Sequence, residues 1–154
     1  MALIQLIYVS TACEELGTVE LDRILESAVR HNTAQQVTGM LLYAGGSFMQ
    51  VLEGEESAVD ETLGRLQVDP RHTGLFVLER APIRARSFAR WTMGFKRLDA
   101  RDAAARPGYA PFFERGFDAG AIGARPGLAL EMLTAFGSSQ YAGGAEVRAA
   151  LGRD

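Results

Sequence analysis

One amide side chain, that of Gln50, lies in the middle of the apolar segment 47–53. Alternate side chains of an extended strand share a face, so Gln50 would lie beside Phe48 and Leu52. The side chains between them are apolar as well, and a strand apolar on both faces is typical of a central strand covered from both sides. A primary amide buried there costs free energy unless its donors and acceptors find partners. Gln50 is therefore either a core glutamine bonded to nearby backbone or an amide directed at a bound ligand.

Further polar groups stand where a structural role competes with a binding role. Tyr8 lies at the end of a predicted strand over residues 2–10, where a core aromatic is the simpler interpretation. Asn32 continues the apolar stripe of a helix, where the structural alternative is a C-cap. Arg65 and Asp69 are four residues apart with the base first, the less favourable order for an ion pair on a helix surface. These groups would form a binding site only if the fold brings their segments together.

The composition is that of one globular domain. The chain has 154 residues, of which 47% are hydrophobic and 23% charged. Its formal net charge of −3 argues against a nucleic-acid partner. The single cysteine, Cys13, excludes an intramolecular disulfide and a cysteine-rich metal site. No signal peptide or bilayer-spanning stretch is recognisable, so we expect a cytoplasmic protein without a membrane or metal partner.

The hydrophobic pattern predicts the element order β-α-β-β-α-β-β, which is a ferredoxin-like α+β core with one added strand. Thr18 is expected to cap the first helix, and Gly45-Gly46 is expected to form a tight hairpin turn. In such a fold the first and third strands are neighbours, which would bring Tyr8 close to Gln50. The predicted strands cover residues 2–10, 37–44, 47–53, 74–79 and 91–97, and the predicted helices cover 18–34 and about 55–67.

The chain beyond residue 98 has a different amino-acid composition, rich in alanine, glycine and arginine. Helical segments are expected near 110–116 and 127–136. Since the two long helices already cover one face of the sheet, the apolar residues of this part should pack on the other face. They are Phe112, Phe113, Phe117, Ile122 and the segment 128–133.

Six short motifs follow one another along the chain. They are Ile-Tyr8-Val-Ser, Arg-His-Asn32, Thr-Gly-Met-Leu-Leu-Tyr, Phe-Met-Gln50-Val-Leu-Glu-Gly, Asp-Pro-Arg-His72 and Arg-Trp91-Thr-Met93-Gly-Phe. Taken together, these motifs resemble those of the BLUF domain, a family of blue-light sensors that use FAD. The similarity covers Leu3 to Leu98, with order and spacings that match throughout. It implies a flavin-binding domain over 1–98 and a helical cap over 99–154.

The resemblance implies that the flavin ring lies between the two helices, over the sheet. Asn32 would bond the carbonyl and imide edge of the ring, because an amide offers both an acceptor and donors. Arg65 would reach the pyrimidine carbonyl, with Asp69 holding its guanidinium. Ile24 and Phe48 would pack against the ring.

Two histidines complete the implied flavin site. His31 occupies a position where the family has His or Asn beside the flavin, and His72 would lie at the polar edge or near the ribityl phosphate. The implied flavin-binding residues are thus Ile24, His31, Asn32, Phe48, Gln50, Arg65, Asp69 and His72.

The resemblance also implies a non-enzymatic photoreceptor. Tyr8 would donate an electron and then a proton through Gln50, leaving Gln50 rotated or tautomerised. Trp91 and Met93 would sense that change and pass it to the C-terminal helices. The output would be a separate, unidentified signalling protein or a change in self-assembly as a homo-oligomer.

Two other functions are compatible with this framework. A flavin-dependent redox enzyme would need a nicotinamide site or a substrate acid and base, for which the sequence has no signature. A small phosphate-handling hydrolase could use the same Arg and Asn side chains, and it predicts a colourless protein.

Overall fold

The computed structural model describes residues 2–14, 16–90 and 92–139, so Trp91 lies outside the described residues. The elements are β1 Leu3–Ala12, α1 Thr18–Gln35, β2 Thr38–Ala44, β3 Ser47–Glu55, α2 Glu56–Gln67, β4 His72–Pro82, β5 Gly94–Arg97, α3 Ala100–Ala105, the 3-10 turn Ala110–Phe112, α4 Ala119–Gly123 and α5 Leu128–Ser139. In the described residues the sheet has the strand order β4-β1-β3-β2-β5, in which β2 and β5 pair in parallel and the other pairs are antiparallel. The predicted ferredoxin-like α+β fold with a mixed five-stranded sheet is confirmed.

The sheet is covered on both faces, as the apolar character of β3 predicts. Phe48 and Leu52 lie in the core beneath α1 and α2, together with Tyr8. Met49 and Val51 lie in the core on the opposite face. The C-terminal segments close this second core with Phe113, Phe117, Ile122, Leu128, Leu133 and Phe136, while Phe112 packs at its edge.

Several element boundaries differ from those expected. Gly17 is the N-cap of α1 instead of Thr18, and its backbone N–H donates to Glu20 Oε1 at 2.9 Å. The helix continues to Gln35, so Asn32 is inside it and not its C-cap. β5 begins at Gly94 rather than at residue 91. The carbonyl of Thr92 just before it accepts a side-chain bond from Asn32 in place of a strand partner.

The β2–β3 turn contacts the C-terminal part of the chain. Gly45 and Gly46 have φ angles of +54° and +78°, which confirms the glycine turn. Ser47, the first residue of β3, accepts a hydrogen bond from the backbone N–H of Phe117 at 2.6 Å and donates to the carbonyl of Ala44 at 3.1 Å. The strand that carries Gln50 is thus tied to the cap at its first residue.

The short helices α3 and α4 were not expected from the sequence. Each begins at an aspartate whose side chain accepts bonds from backbone N–H groups of the first turn, Asp99 in α3 and Asp118 in α4. Within the described ranges, no helix has both the length and the apolar character needed to cross a membrane.

Candidate functional site

The centre of the candidate site is a hydrogen-bond relay that runs from β1 through β3 to the segment just before β5. Tyr8 on β1 lies directly opposite Gln50 on β3, and its hydroxyl donates to Gln50 Oε1. Gln50 Nε2 donates in turn to the sulfur of Met93, at 3.2 Å. The chemistry of the partners fixes this amide orientation, because a thioether can only accept and a phenol can donate to the amide oxygen. The reversed amide would set Oε1 against Sδ with no proton between them.

Tyr8 is a protonated donor in this environment. Only 3% of the residue is exposed, and burial raises the pKa of the phenol far above its usual value. The negative charge of Asp69 raises this pKa further. The relay therefore starts from a neutral phenol at any physiological pH.

A slot opens beside this relay, between α1, α2 and the sheet. It holds about 560 Å³ of empty space, part of which is open to solvent. Of the residues expected to bind flavin, all except His31 line it: Ile24, Asn32, Phe48, Gln50, Arg65, Asp69 and His72. Apolar walls with a few polar groups at the edges suit a flat aromatic ligand with polar edges, which is the chemistry of an isoalloxazine ring.

Asn32 joins the slot to the segment that precedes β5. Its residue is 2% exposed, and its Nδ2 donates to the carbonyl of Thr92 at 3.1 Å. A primary amide has two N–H protons and an acceptor oxygen, so one bond to Thr92 leaves capacity for a ligand. This remaining capacity matches the C=O and N–H edge expected of a flavin.

The acid–base pair at the open end of the slot differs from the one expected. Asp69 pairs with Arg71 rather than with Arg65, at 2.6 Å between Oδ2 and Nη2. It also accepts the backbone N–H of Arg71 at 2.9 Å. Asp69 lies beyond the end of α2 at Gln67, so it makes a local turn contact instead of a helical one. Hydrogen bonds from Arg71 are the main cause that lowers the pKa of Asp69.

His31 on α1 forms a hydrogen bond to α2 instead of lining the slot. Its Nε2 is 3.1 Å from Thr62 Oγ1, whose proton is donated to the carbonyl of Ala58. The ring nitrogen must therefore be the donor to Thr62. Burial, and then the positive charge of Arg65, lower the pKa of His31 and favour the neutral ring. Its expected place beside the flavin stays a prediction.

His72 closes the slot next to Tyr8, with ring centroids 6.3 Å apart. Its Nε2 lies 2.6 Å from the carbonyl of Leu66 at the end of α2, and a carbonyl can only accept, so Nε2 carries a proton. Its Nδ1 lies 2.7 Å from the hydroxyl of Ser10 on β1. His72 thus connects β1, α2 and β4 around the slot. Sequence reasoning missed Ser10, and also the slot residues Thr62 and Arg71.

A comparison with protein families identifies the chain. The family described as BLUF, sensors of blue-light using FAD, matches residues 3–94. The chain belongs to the BLUF family. BLUF domains are blue-light sensors that bind flavin, and the polar-edged slot beside Tyr8 and Gln50 fits such a ligand.

Known BLUF proteins resemble this chain over different lengths. The beta subunit of the photoactivated adenylate cyclase of Euglena longa is 37% identical over 89 residues, which are 57% of this chain and 10% of that protein. The chain therefore matches only a small part of its curated relatives. Among solved structures, the dark state of the BLUF protein BlrB is 25% identical over 90% of this chain and 97% of its own, with a TM-score of 0.73. The photo-activated state of BlsA is 26% identical over 85% and 91% of the two chains, with a TM-score of 0.71.

Proposed function

We propose that this chain is a blue-light photoreceptor that binds FAD and has no enzymatic activity of its own. The observation that carries the proposal is the buried relay from Tyr8 through Gln50 to Met93, placed beside a slot suited to flavin. When bound, the flavin absorbs blue light and its excited state accepts an electron. The rest of the function belongs to the protein's own side chains.

The residues that line the slot would hold the flavin. Ile24 and Phe48 supply apolar surface for the ring, and Asn32 supplies donors and an acceptor for its polar edge. Arg65 is exposed at the slot, and the Asp69 carboxylate is bound by Arg71 instead. Its guanidinium can therefore turn to a carbonyl of the ligand. His72 lines the slot as well, with its ring nitrogens held by Ser10 and by the carbonyl of Leu66.

Switching falls to the Gln50 amide. Tyr8 would supply an electron to the excited flavin and its hydroxyl proton through Gln50, and both would return to Tyr8 on recombination. If the amide then rotates, its oxygen faces Met93 Sδ, and two acceptors repel each other where a hydrogen bond stood before. Met93 is unbranched and can repack at low cost, so it can convert amide orientation into a movement of the segment before β5.

The output falls to the C-terminal cap, residues 99–154. In support of this role, the cap residues up to Phe136 share a core with Met49 and Val51, the neighbours of Gln50 on the other face of β3. A coupling free energy of about 1–3 kcal/mol between the two faces would change partner affinity severalfold to a hundredfold. The partner would be a separate signalling protein or a second copy of this chain.

The deciding experiment is an absorption spectrum before and after blue light. We expect the purified protein to be yellow, to release FAD on denaturation, and to show a reversible red shift in the light. Tyr8→Phe should bind flavin but lose the shift, because only the donor hydroxyl is removed. Gln50→Leu should lose it as well, because the relay loses its amide. A normal shift in either variant would refute the relay, and bleaching of the flavin by NAD(P)H without oxygen would favour a redox enzyme.

A further inference from the structure

A buried carboxylate lies on β3 that the light-sensing relay does not use. This residue is Glu53, which is 0% exposed. It lies three residues beyond Gln50 on the same central strand. It faces away from the slot, on the same face as Met49 and Val51. Acidic side chains are almost never fully buried unless they are paired, so this one needs a structural reason.

Glu53 is satisfied entirely by N–H donors. Its Oε1 accepts from the backbone N–H of Phe88 at 2.8 Å, and its Oε2 accepts from the backbone N–H of Ser87 at 2.9 Å. The side chain of Gln5 donates to Oε2 at 2.8 Å. Hydrogen bonds to a charged acceptor are about twice as strong as neutral ones. Two adjacent backbone groups of an irregular segment are therefore fixed to the central strand.

The fixed segment is the connection between β4 and β5, which carries Met93. Arg86, the residue before Ser87, donates from its side chain to the backbone carbonyl of Glu53 at 2.9 Å. At its other end the same connection is held by the bond from Asn32 to Thr92 and by the contact of Met93 with Gln50. Rotation of the Gln50 amide would release the Met93 contact but not the anchor at Glu53.

We propose that Glu53 is a positioning residue for Met93: its buried carboxylate anchors the β4–β5 connection at Ser87 and Phe88, and so sets where the Met93 sulfur meets Gln50. The inference rests on the proposed function for its effect on the photocycle, but the position of Met93 in the dark can be tested without light. Movement after amide rotation is then confined to the few residues between the anchor and β5.

The test uses Glu53→Gln in the full chain with its flavin. Glutamine keeps the size but replaces one acceptor oxygen with a donor NH2, so at least one backbone N–H of the connection loses its partner. We expect hydrogen exchange at Ser87 or Phe88 to accelerate about tenfold or more. The methyl resonance of Met93, assigned from its loss in Met93→Leu, should shift in the dark. Recovery of the dark spectrum should change about threefold or more.

The matched control is Glu55→Gln, the same change two residues further along β3 at a partly exposed position. It should leave the exchange, the methyl resonance and the recovery rate unchanged. In the Met93→Leu background, Glu53→Gln should still accelerate exchange but have no further effect on recovery. That combination distinguishes a role through Met93 from a general loosening of the fold.

An unchanged Met93 resonance in Glu53→Gln overturns the proposal, and so does an undiminished effect on recovery in the Met93→Leu background. If the native protein shows no red shift, the proposed function fails, and the dark Met93 resonance alone decides the role of Glu53. If Glu53→Gln does not fold, exchange in the native protein decides: slow exchange at Ser87 and Phe88 supports the anchor, and exchange as fast as at the neighbouring irregular residues refutes it.

Discussion

The two glycines of the β2–β3 turn offer a matched pair of substitutions that measures how the cap is held. Both have positive φ, so alanine is strained at either position. A Cβ at Gly46 would meet no atom within 4 Å. A Cβ at Gly45 would overlap the backbone of the cap, at 2.9 Å from the carbonyl carbon of Arg115 and 3.0 Å from Cα of Gly116. Backbone atoms cannot move aside by a rotamer change, so the cap segment itself must shift.

The expected magnitudes follow from these contacts. Placing alanine in a left-handed conformation costs roughly 1–2 kcal/mol, and both variants bear this cost. Overpacking adds about 1–3 kcal/mol for Gly45→Ala alone. With a urea m-value of about 1–3 kcal/mol per molar, the midpoint of Gly45→Ala should lie on the order of 1 M below that of Gly46→Ala. Both should remain folded, since domains of this kind have about 5–15 kcal/mol of stability.

The assay is urea unfolding followed by circular dichroism, together with hydrogen exchange of residues 113–117. Gly45→Ala should expose this segment, whereas Gly46→Ala should leave it protected. Flavin content should be normal in both, because the slot lies on the opposite face of the sheet. Equal midpoints for the two variants would refute the reasoning, since they would mean that the turn does not bear on the cap.

Two other results are expected. The raised pKa of Tyr8 means that the folded state keeps a proton that the unfolded state releases above about pH 10, so stability should fall there by about 1.4 kcal/mol per pH unit more than in Tyr8→Phe. Urea unfolding of the native protein and of Tyr8→Phe at pH 8 and pH 11 measures this difference. An equal loss of unfolding free energy between the two pH values in both proteins would contradict the prediction. Phe136→Ala should cost about 3–5 kcal/mol, because the ring is 1% exposed and packs edge-on against Phe113 at 5.5 Å. The control Phe76→Ala, at a side chain 56% exposed, should change stability by about 0.5 kcal/mol or less, and a similar loss in both would contradict this view of the cap core.

The contact of Tyr8 with Gln50 was predictable because strand periodicity and fold topology determine it. A period of two places Gln50 on the face of Phe48, and neighbouring first and third strands place Tyr8 opposite it. These two placements do not depend on loop conformation. The placement of Met93 does, because the residue was expected in a strand over 91–97 but lies just before β5, fully buried in the core that contains Tyr8.

Contacts made by irregular segments were not predictable in the same way. The pairing of Asp69 with Arg65 was implied by the family resemblance, and the end of α2 at Gln67 agrees with the helix expected over about 55–67. Beyond that end the chain turns, and Asp69 contacts Arg71, only two residues further along. Helical spacing does not apply beyond the last residue of a helix, so it could not identify the partner of Asp69.

One omission could have been avoided from the sequence alone. Glu53 interrupts an apolar strand just as Gln50 does, and a carboxylate is more costly to bury than an amide. The strand pattern therefore indicated that Glu53, like Gln50, must have hydrogen-bond partners in the core. It did not identify them, because the donors are backbone N–H groups of Ser87 and Phe88, whose side chains carry no information about the bond.

Two physical routes lead from Gln50 toward the cap, and they leave the site in different directions. One passes through Met93 into β5, and its origin is anchored at Glu53. The other runs along β3 to Ser47, which holds the cap at Phe117. Under the proposed function, amide rotation would act directly on Met93 and only indirectly on Ser47. The first route should therefore respond earlier, and the second should determine how firmly the cap follows. Glu53→Gln perturbs the first route and Gly45→Ala the second. If light still changes exchange in residues 113–117 of Gly45→Ala as it does in Gly46→Ala, contact at the turn is unnecessary and the signal crosses through β5 alone.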